Sequence, residues 1–106
     1  MSKRSEGMAQ IIGEIIAPFV YKILDPEIFG LATITHVKVS TDFSFADVYI
    51  STMKNKKELE EILRKNVYHI QKELNQKLQK KRVPKIRFKI DFTSEYVDKI
   101  YSKLNE

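Results

Sequence analysis

Cysteine and tryptophan are both absent from this chain of 106 residues. Without thiols there is no disulfide scaffold, no thiolate metal centre and no cysteine nucleophile. The two histidines, His36 and His69, are too few and too far apart for an all-imidazole metal site, so no metal is expected. The three glycines, Gly7, Gly13 and Gly30, are scattered, which excludes a Gly-rich phosphate loop. No apolar run approaches the roughly 18 residues of a membrane span. Residues 1–10 are polar and mixed in charge, unlike the hydrophobic stretch of a signal peptide. These absences lead us to expect a small, soluble, cytoplasmic protein with no membrane association. Its length suits one domain over 1–106, with the ends, about 1–5 and 102–106, expected to be disordered.

What is present is positive charge, and it is concentrated. The net charge is +5, but residues 1–53 hold four basic against six acidic side chains, and residues 54–106 hold fifteen against eight. Within the second half, Lys77, Lys80, Lys81, Arg82, Lys85, Arg87 and Lys89 follow one another with no acid between them. Such a block is the footprint of a polyanion partner, set against the alternative of a solvated lysine-rich face.

The hydrophobic pattern gives that block a geometry. Met8, Ile11, Ile12, Ile15, Ile16, Phe19, Val20 and Ile23 step by three and four, as in a helix packed on one side. Pro18 within it predicts a kink or an early end, and Asp25-Pro26 and Gly30 mark the stop and a turn. From Leu31 to Ser40 the β-branched residues predict a strand with Thr33, Thr35, Val37 and Val39 on one face. Ala46, Val48 and Ile50 alternate with polar partners as a second strand, and the short Ser40-Thr41-Asp42 turn favours an antiparallel hairpin. Leu59, Ile62, Leu63, Val67, Ile70, Leu74 and Leu78 then form a stripe long enough to predict a break, with Asn66 the weakest helix former inside it. Arg82-Val83-Pro84 ends that helix. Ile86, Phe88, Ile90 and Phe92 alternate as a third strand, and a short helix carrying Tyr96 or Val97, Ile100, Tyr101 and Leu104 follows. The sum is an α+β domain: a three-stranded sheet with helices packed on one face.

Catalytic chemistry is missing from this layout. Glu58, Glu60 and Glu61 load the first turn of a helix, where negative charge suits the macrodipole. Asp42 and Asp47 flank a turn, and neither histidine has a triad around it. No enzyme is predicted. The basic block, in contrast, falls on a helix end and on alternate residues of a strand, which predicts a continuous positive surface together with Arg64, Lys65 and Lys72. Phosphates would bind such a surface with salt-dependent affinity. Phe43, Phe45, Tyr49 and Tyr68 are the aromatics to examine for base stacking.

The sequence resembles the ribosome-binding factor A family. The resemblance is carried by Asp25-Pro26, Ile28, Gly30-Leu31, Thr33-Ile34-Thr35, Val37-Lys38-Val39-Ser40, Asp42-Phe43 and Ala46-Asp47-Val48-Tyr49-Ile50, and again by Leu74 through Arg82-Val83-Pro84 to Phe88. With the Ile-rich first helix it covers nearly the whole chain. It implies a KH-like fold of type II, ordered αββααβ, without the Gly-x-x-Gly loop of ordinary KH domains. No glycine follows Gly30. The family's interhelical kink, usually Ala-x-Gly, falls on Asn66, Val67 and Tyr68, so both small residues are missing; Glu27 stands where the family often has Arg. No apolar stripe is left unassigned, so a monomer is expected; the resemblance further implies that it binds the free, immature 30S subunit through 16S rRNA. Such a factor assists late rRNA processing and maturation, matters most in the cold, uses no cofactor or small-molecule substrate and catalyses nothing. From charge and geometry the expected RNA contacts are Lys77, Lys80, Lys81, Arg82, Lys85, Arg87 and Lys89, then Arg64, Lys65 and Lys72. The competing readings are a general KH-type single-stranded RNA binder and a protein-interaction module using the same basic face.

Overall fold

The computed structural model describes residues 3–78 and 82–92. Helix α1 (Lys3–Ile23) is followed by a single turn, α2 (Pro26–Phe29), a hairpin of β1 (Ala32–Val39) and β2 (Phe45–Thr52), helix α3 (Lys56–Leu78) and strand β3 (Lys85–Ile90). The sheet order is β1-β2-β3, with β1 antiparallel and β3 parallel to the central β2. Both long helices lie on one face of this sheet: α1 against β1, α3 against β3, and each against the other. The core between the layers holds Ile12, Ile16 and Val20 of α1, Leu59, Leu63, Ile70 and Leu74 of α3, and Val39, Ala46, Val48, Ile50 and Ile86 of the sheet.

Pro18 does not end α1. The helix runs through it to Ile23, because Pro18 is exposed while Ile16 and Val20 on either side are fully buried. The Glu14 carbonyl it deprives of a partner belongs to an exposed residue and water can satisfy it. Helix α1 begins at Lys3 and buries Ser5. Asp25 caps α2 by accepting the Glu27 N–H at 2.9 Å, and Pro26 fills the first helical position. Gly30 closes the turn at φ 66°, a conformation a Cβ would strain.

The predicted face of β1 is only half right. Thr35 is an extra residue: Ile34 pairs with Ile50, but His36 already pairs with Tyr49. This β-bulge flips the alternation, so Ala32 and Ile34 pack on the core before it and Val37 and Val39 after it. Thr35 is thereby exposed, and its hydroxyl donates to Asp91 Oδ2 at 2.6 Å and to the Tyr49 carbonyl at 3.3 Å.

The predicted break near Asn66 is absent, and with it the second of the two central helices. Helix α3 is uninterrupted over 23 residues. Leu59 and Leu63 precede Asn66 and Ile70 and Leu74 follow it, all buried in the same core. Burying those side chains is worth several kcal/mol, against well under 1 kcal/mol for the weak propensity of one asparagine. Asn66 Nδ2 donates to the Ile62 carbonyl one turn back. The last predicted helix, with the expectation of disorder at 102–106, lies outside the described residues. Among those described, no helix is long and apolar enough to cross a membrane.

Candidate nucleic-acid interface

The expected basic residues separate onto two sides of the domain. On α3, Lys65 and Lys72 are exposed on the side away from the sheet, beside Tyr68, and neither forms an ion pair with a described residue. Lys77, in the last turn, leans the other way, its Nζ 5.9 Å from the ring of Phe19 on α1. On β3 the alternation with Ile86, Phe88 and Ile90 sends Lys85, Arg87 and Lys89 to the outer face of the sheet, opposite the helices. Among the described residues, Lys65 and Lys72 on α3 and Lys85, Arg87 and Lys89 on the outer sheet face lie on different sides of the domain, because α3 packs on the opposite face of the sheet. Lys80 and Lys81 lie outside the described residues.

Arg64 stands where the two sides meet. It lines a groove of about 590 Å³ between α3 and the free edge of β3, together with Val67, Phe88 and Phe92, and Arg87 and Lys89 form its rim. Gln71 lies on the same helix, outside the lining of this groove. Its Oε1 accepts the Ile86 N–H at 2.7 Å and its Nε2 donates to the Pro84 carbonyl at 3.1 Å, so one side chain ties the start of the strand to the helix. Nothing in the local sequence pattern marks Gln71 for this role. Of the three residues at the predicted kink, Val67 faces the groove, Asn66 bonds within the helix, and Tyr68 is 81% exposed.

The outer sheet face has its own electrostatics. Arg87 binds Asp47 through Nε at 2.7 Å and through a second nitrogen at 3.2 Å, and Lys89 Nζ reaches the same carboxylate at 3.4 Å. Partial burial alone would raise the Asp47 pKa, but the bonds and charges of Arg87 and Lys89 outweigh it and hold the carboxyl below its ordinary value. Arg87 is shifted up in turn, first by its bond to Asp47. Arg82 hangs on the hairpin turn, 3.3 Å from Ser44 Oγ, where Asp42 accepts the Ser44 N–H and the Ser40 hydroxyl. Those bonds, the Ser44 N–H first, lower the Asp42 pKa.

Of the four aromatics singled out, Phe43 packs against the core at φ 61°, while Phe45 is on the outer face with the Arg87 guanidinium 4.0 Å from its ring centre. Tyr49 stacks on His36 at 4.1 Å, the planes 14° apart. The arrangement offers cations and flat surfaces rather than a reaction centre. No cluster of three metal-ligating side chains exists among the described residues.

Residues 4–104 match the family model for ribosome-binding factor A. The chain belongs to the ribosome-binding factor A family. It is 37% identical to the ribosome-binding factor A of Geotalea uraniireducens and 35% identical to that of Geotalea daltonii, each over the whole chain and 89% of the relative. The fold agrees with solved structures. A crystal structure of the Thermus thermophilus factor superposes with a TM-score of 0.69 at 19% identity, covering 81% of this chain and 94% of that one. A solution structure of a Thermotoga maritima protein described as a putative ribosome-binding factor A gives 0.68 at 25% identity, over 84% and 88%. A model of the Thermus factor fitted to a map of a 30S complex also gives 0.68, at 20% identity, over 80% and 92%. This is a family of ribosome-binding factors and not a class of enzymes.

Proposed function

We propose that this protein binds the free, immature 30S subunit through 16S rRNA and assists late rRNA processing and subunit maturation, chiefly in the cold. In this reading it acts in the cytoplasm as a monomer, without cofactor or catalysis. Family membership supports the ribosomal target, and a member of the fold has been fitted to a 30S complex. The observation that carries the reading for this chain is the set of cations left available for phosphates. Lys65 and Lys72 on α3 have no ion-pair partner among the described residues, and Arg64 and Lys77 extend the positive charge along the same helix. Arg82 and Lys85 supply the approach to β3, and Lys80 and Lys81 precede them in the sequence.

The mechanism is a shift of RNA populations. A rigid basic surface that binds one rRNA arrangement better than another favours that arrangement by the difference in affinity, and by no more than that. The test is cosedimentation with 30S, 50S and 70S particles across a salt series, comparing wild type with a Lys65→Glu/Lys72→Glu variant. Binding confined to 30S, weakened both by salt and by the charge reversal, is the expected result. Equal binding to all particles would reduce the protein to a nonspecific polyanion binder. Absence of binding at low salt would overturn the ribosomal reading.

A further inference from the structure

We propose that the outer face of the sheet is a stacking platform for unpaired RNA bases, a second contact distinct from the phosphate-binding charges on α3. This rests on the RNA-binding reading above and names the form of RNA that this face takes. The register builds it in rows. Phe45 lies beside Lys85; Lys38, Asp47 and Arg87 cross the three strands next; His36, Tyr49 and Lys89 follow. Alternate residues of a strand put successive rows about 6.7 Å apart.

Two of these rows present flat surfaces to solvent. The Arg87 guanidinium covers the Phe45 ring at 4.0 Å, and His36 lies on Tyr49 at 4.1 Å with Lys89 above the same ring at 5.9 Å. The side chains of His36, Arg87 and Lys89 are 54%, 45% and 44% exposed, and Phe45 is 37% exposed, so a base can reach them. Rings and guanidinium planes are the groups on which splayed bases stack.

Charge decides the orientation of the strand. Lys38 lies on one side strand and Lys85, Arg87 and Lys89 on the other, whereas the carboxylate of Asp47 sits between them on β2. Phosphates are drawn to the cations at the margins, while at the centre Arg87 and Lys89 are already held by Asp47, which leaves that part of the face to bases. A duplex turns its phosphates outward and hides its base faces, so it cannot use the rings. The bulge at Thr35 is what makes the second row: it places His36 opposite Tyr49 while Ile34 remains opposite Ile50.

The experiment measures binding of a labelled, unstructured RNA of about 12 nucleotides and of a duplex of similar charge, over a salt series. Wild type is compared with Phe45→Leu/Tyr49→Leu, which removes the rings and keeps apolar volume, and with Lys65→Glu/Lys72→Glu. The ring variant is expected to lose about tenfold or more in single-strand affinity, with salt slope and duplex affinity unchanged. In wild type, ring-proton resonances of Phe45 and Tyr49 are expected to shift with the single strand and not with the duplex, a readout that does not depend on the variant folding. Single-strand affinity within twofold of wild type in a folded ring variant, or unmoved ring resonances, would overturn the platform alone. Binding of neither RNA by wild type would bring down the RNA-binding reading, and the platform with it.

Discussion

Arg87 Nε donates to Asp47 Oδ1 at 2.7 Å across the parallel pair of β2 and β3, with both residues on the side of the sheet opposite the helices. This one pair decides how much of the predicted basic surface remains available to a polyanion. It fixes the Arg87 guanidinium in place above Phe45, and it spends part of the charge that the sequence advertises on an internal carboxylate.

The pair carries a pH signature. The Asp47 carboxyl is held below its ordinary pKa in the folded protein, so near that range the unfolded chain binds more protons than the folded one. Its contribution is present in full above the ordinary aspartate pKa, about 3.9, and is lost as the pH falls through the lower folded value. Thermal unfolding of wild type should lose more stability than Asp47→Asn between about pH 5 and pH 2. Near neutral pH the substitution should cost under about 1 kcal/mol, because Arg87 is half exposed and solvent screens the pair. Identical acid profiles would show that the pair has no energetic weight.

Gln71 offers a sharper packing test. Replacing it by Leu leaves the Ile86 N–H and the Pro84 carbonyl, both at buried residues, without their partner. A loss of about 1–3 kcal/mol is expected in urea unfolding. Gln71→Glu keeps an acceptor for Ile86 but sets an oxygen against the Pro84 carbonyl, so it should recover only part of that loss.

The continuity of α3 can be examined at Asn66. If the helix is regular there, Asn66→Ala exchanges a weak helix former for the best one and should leave stability unchanged or raise it by about 0.5 kcal/mol. Asn66→Gly should lower it. Leu59→Ala and Leu74→Ala, fully buried on either side of Asn66, should each cost about 2–5 kcal/mol. A destabilising Asn66→Ala would point to a break.

The bulge makes an unusual prediction about length. Deleting Thr35 removes the extra residue, and Ile34, Val37 and Val39 can all keep their core-facing positions in a regular strand. The variant should fold, losing only the hydroxyl bonds to Asp91 and the Tyr49 carbonyl, about 1–2 kcal/mol. A variant that fails to fold, as seen by circular dichroism, would mean that the bulge is required for more than register.

The sequence by itself determined the class of fold, most element positions and the excess of positive charge, because these depend on local patterns: apolar spacing, turn residues and the run from Lys77 to Lys89. Where it misled, a long-range term outweighed a local one. Pro18 and Asn66 argue for interruptions that burial of Ile16, Val20, Leu63 and Ile70 overrides. Thr35 reads as one more β-branched strand residue, since a bulge is defined by the partner strand and not by its own sequence. The site shows the same division. Which residues are cationic is written in the chain, but whether they share a surface depends on the layers. Only the tertiary structure put Lys65 and Lys72 on one side and Arg87 and Lys89 on the other, because only the pairing of β3 with β2 brings Asp47 beneath Arg87.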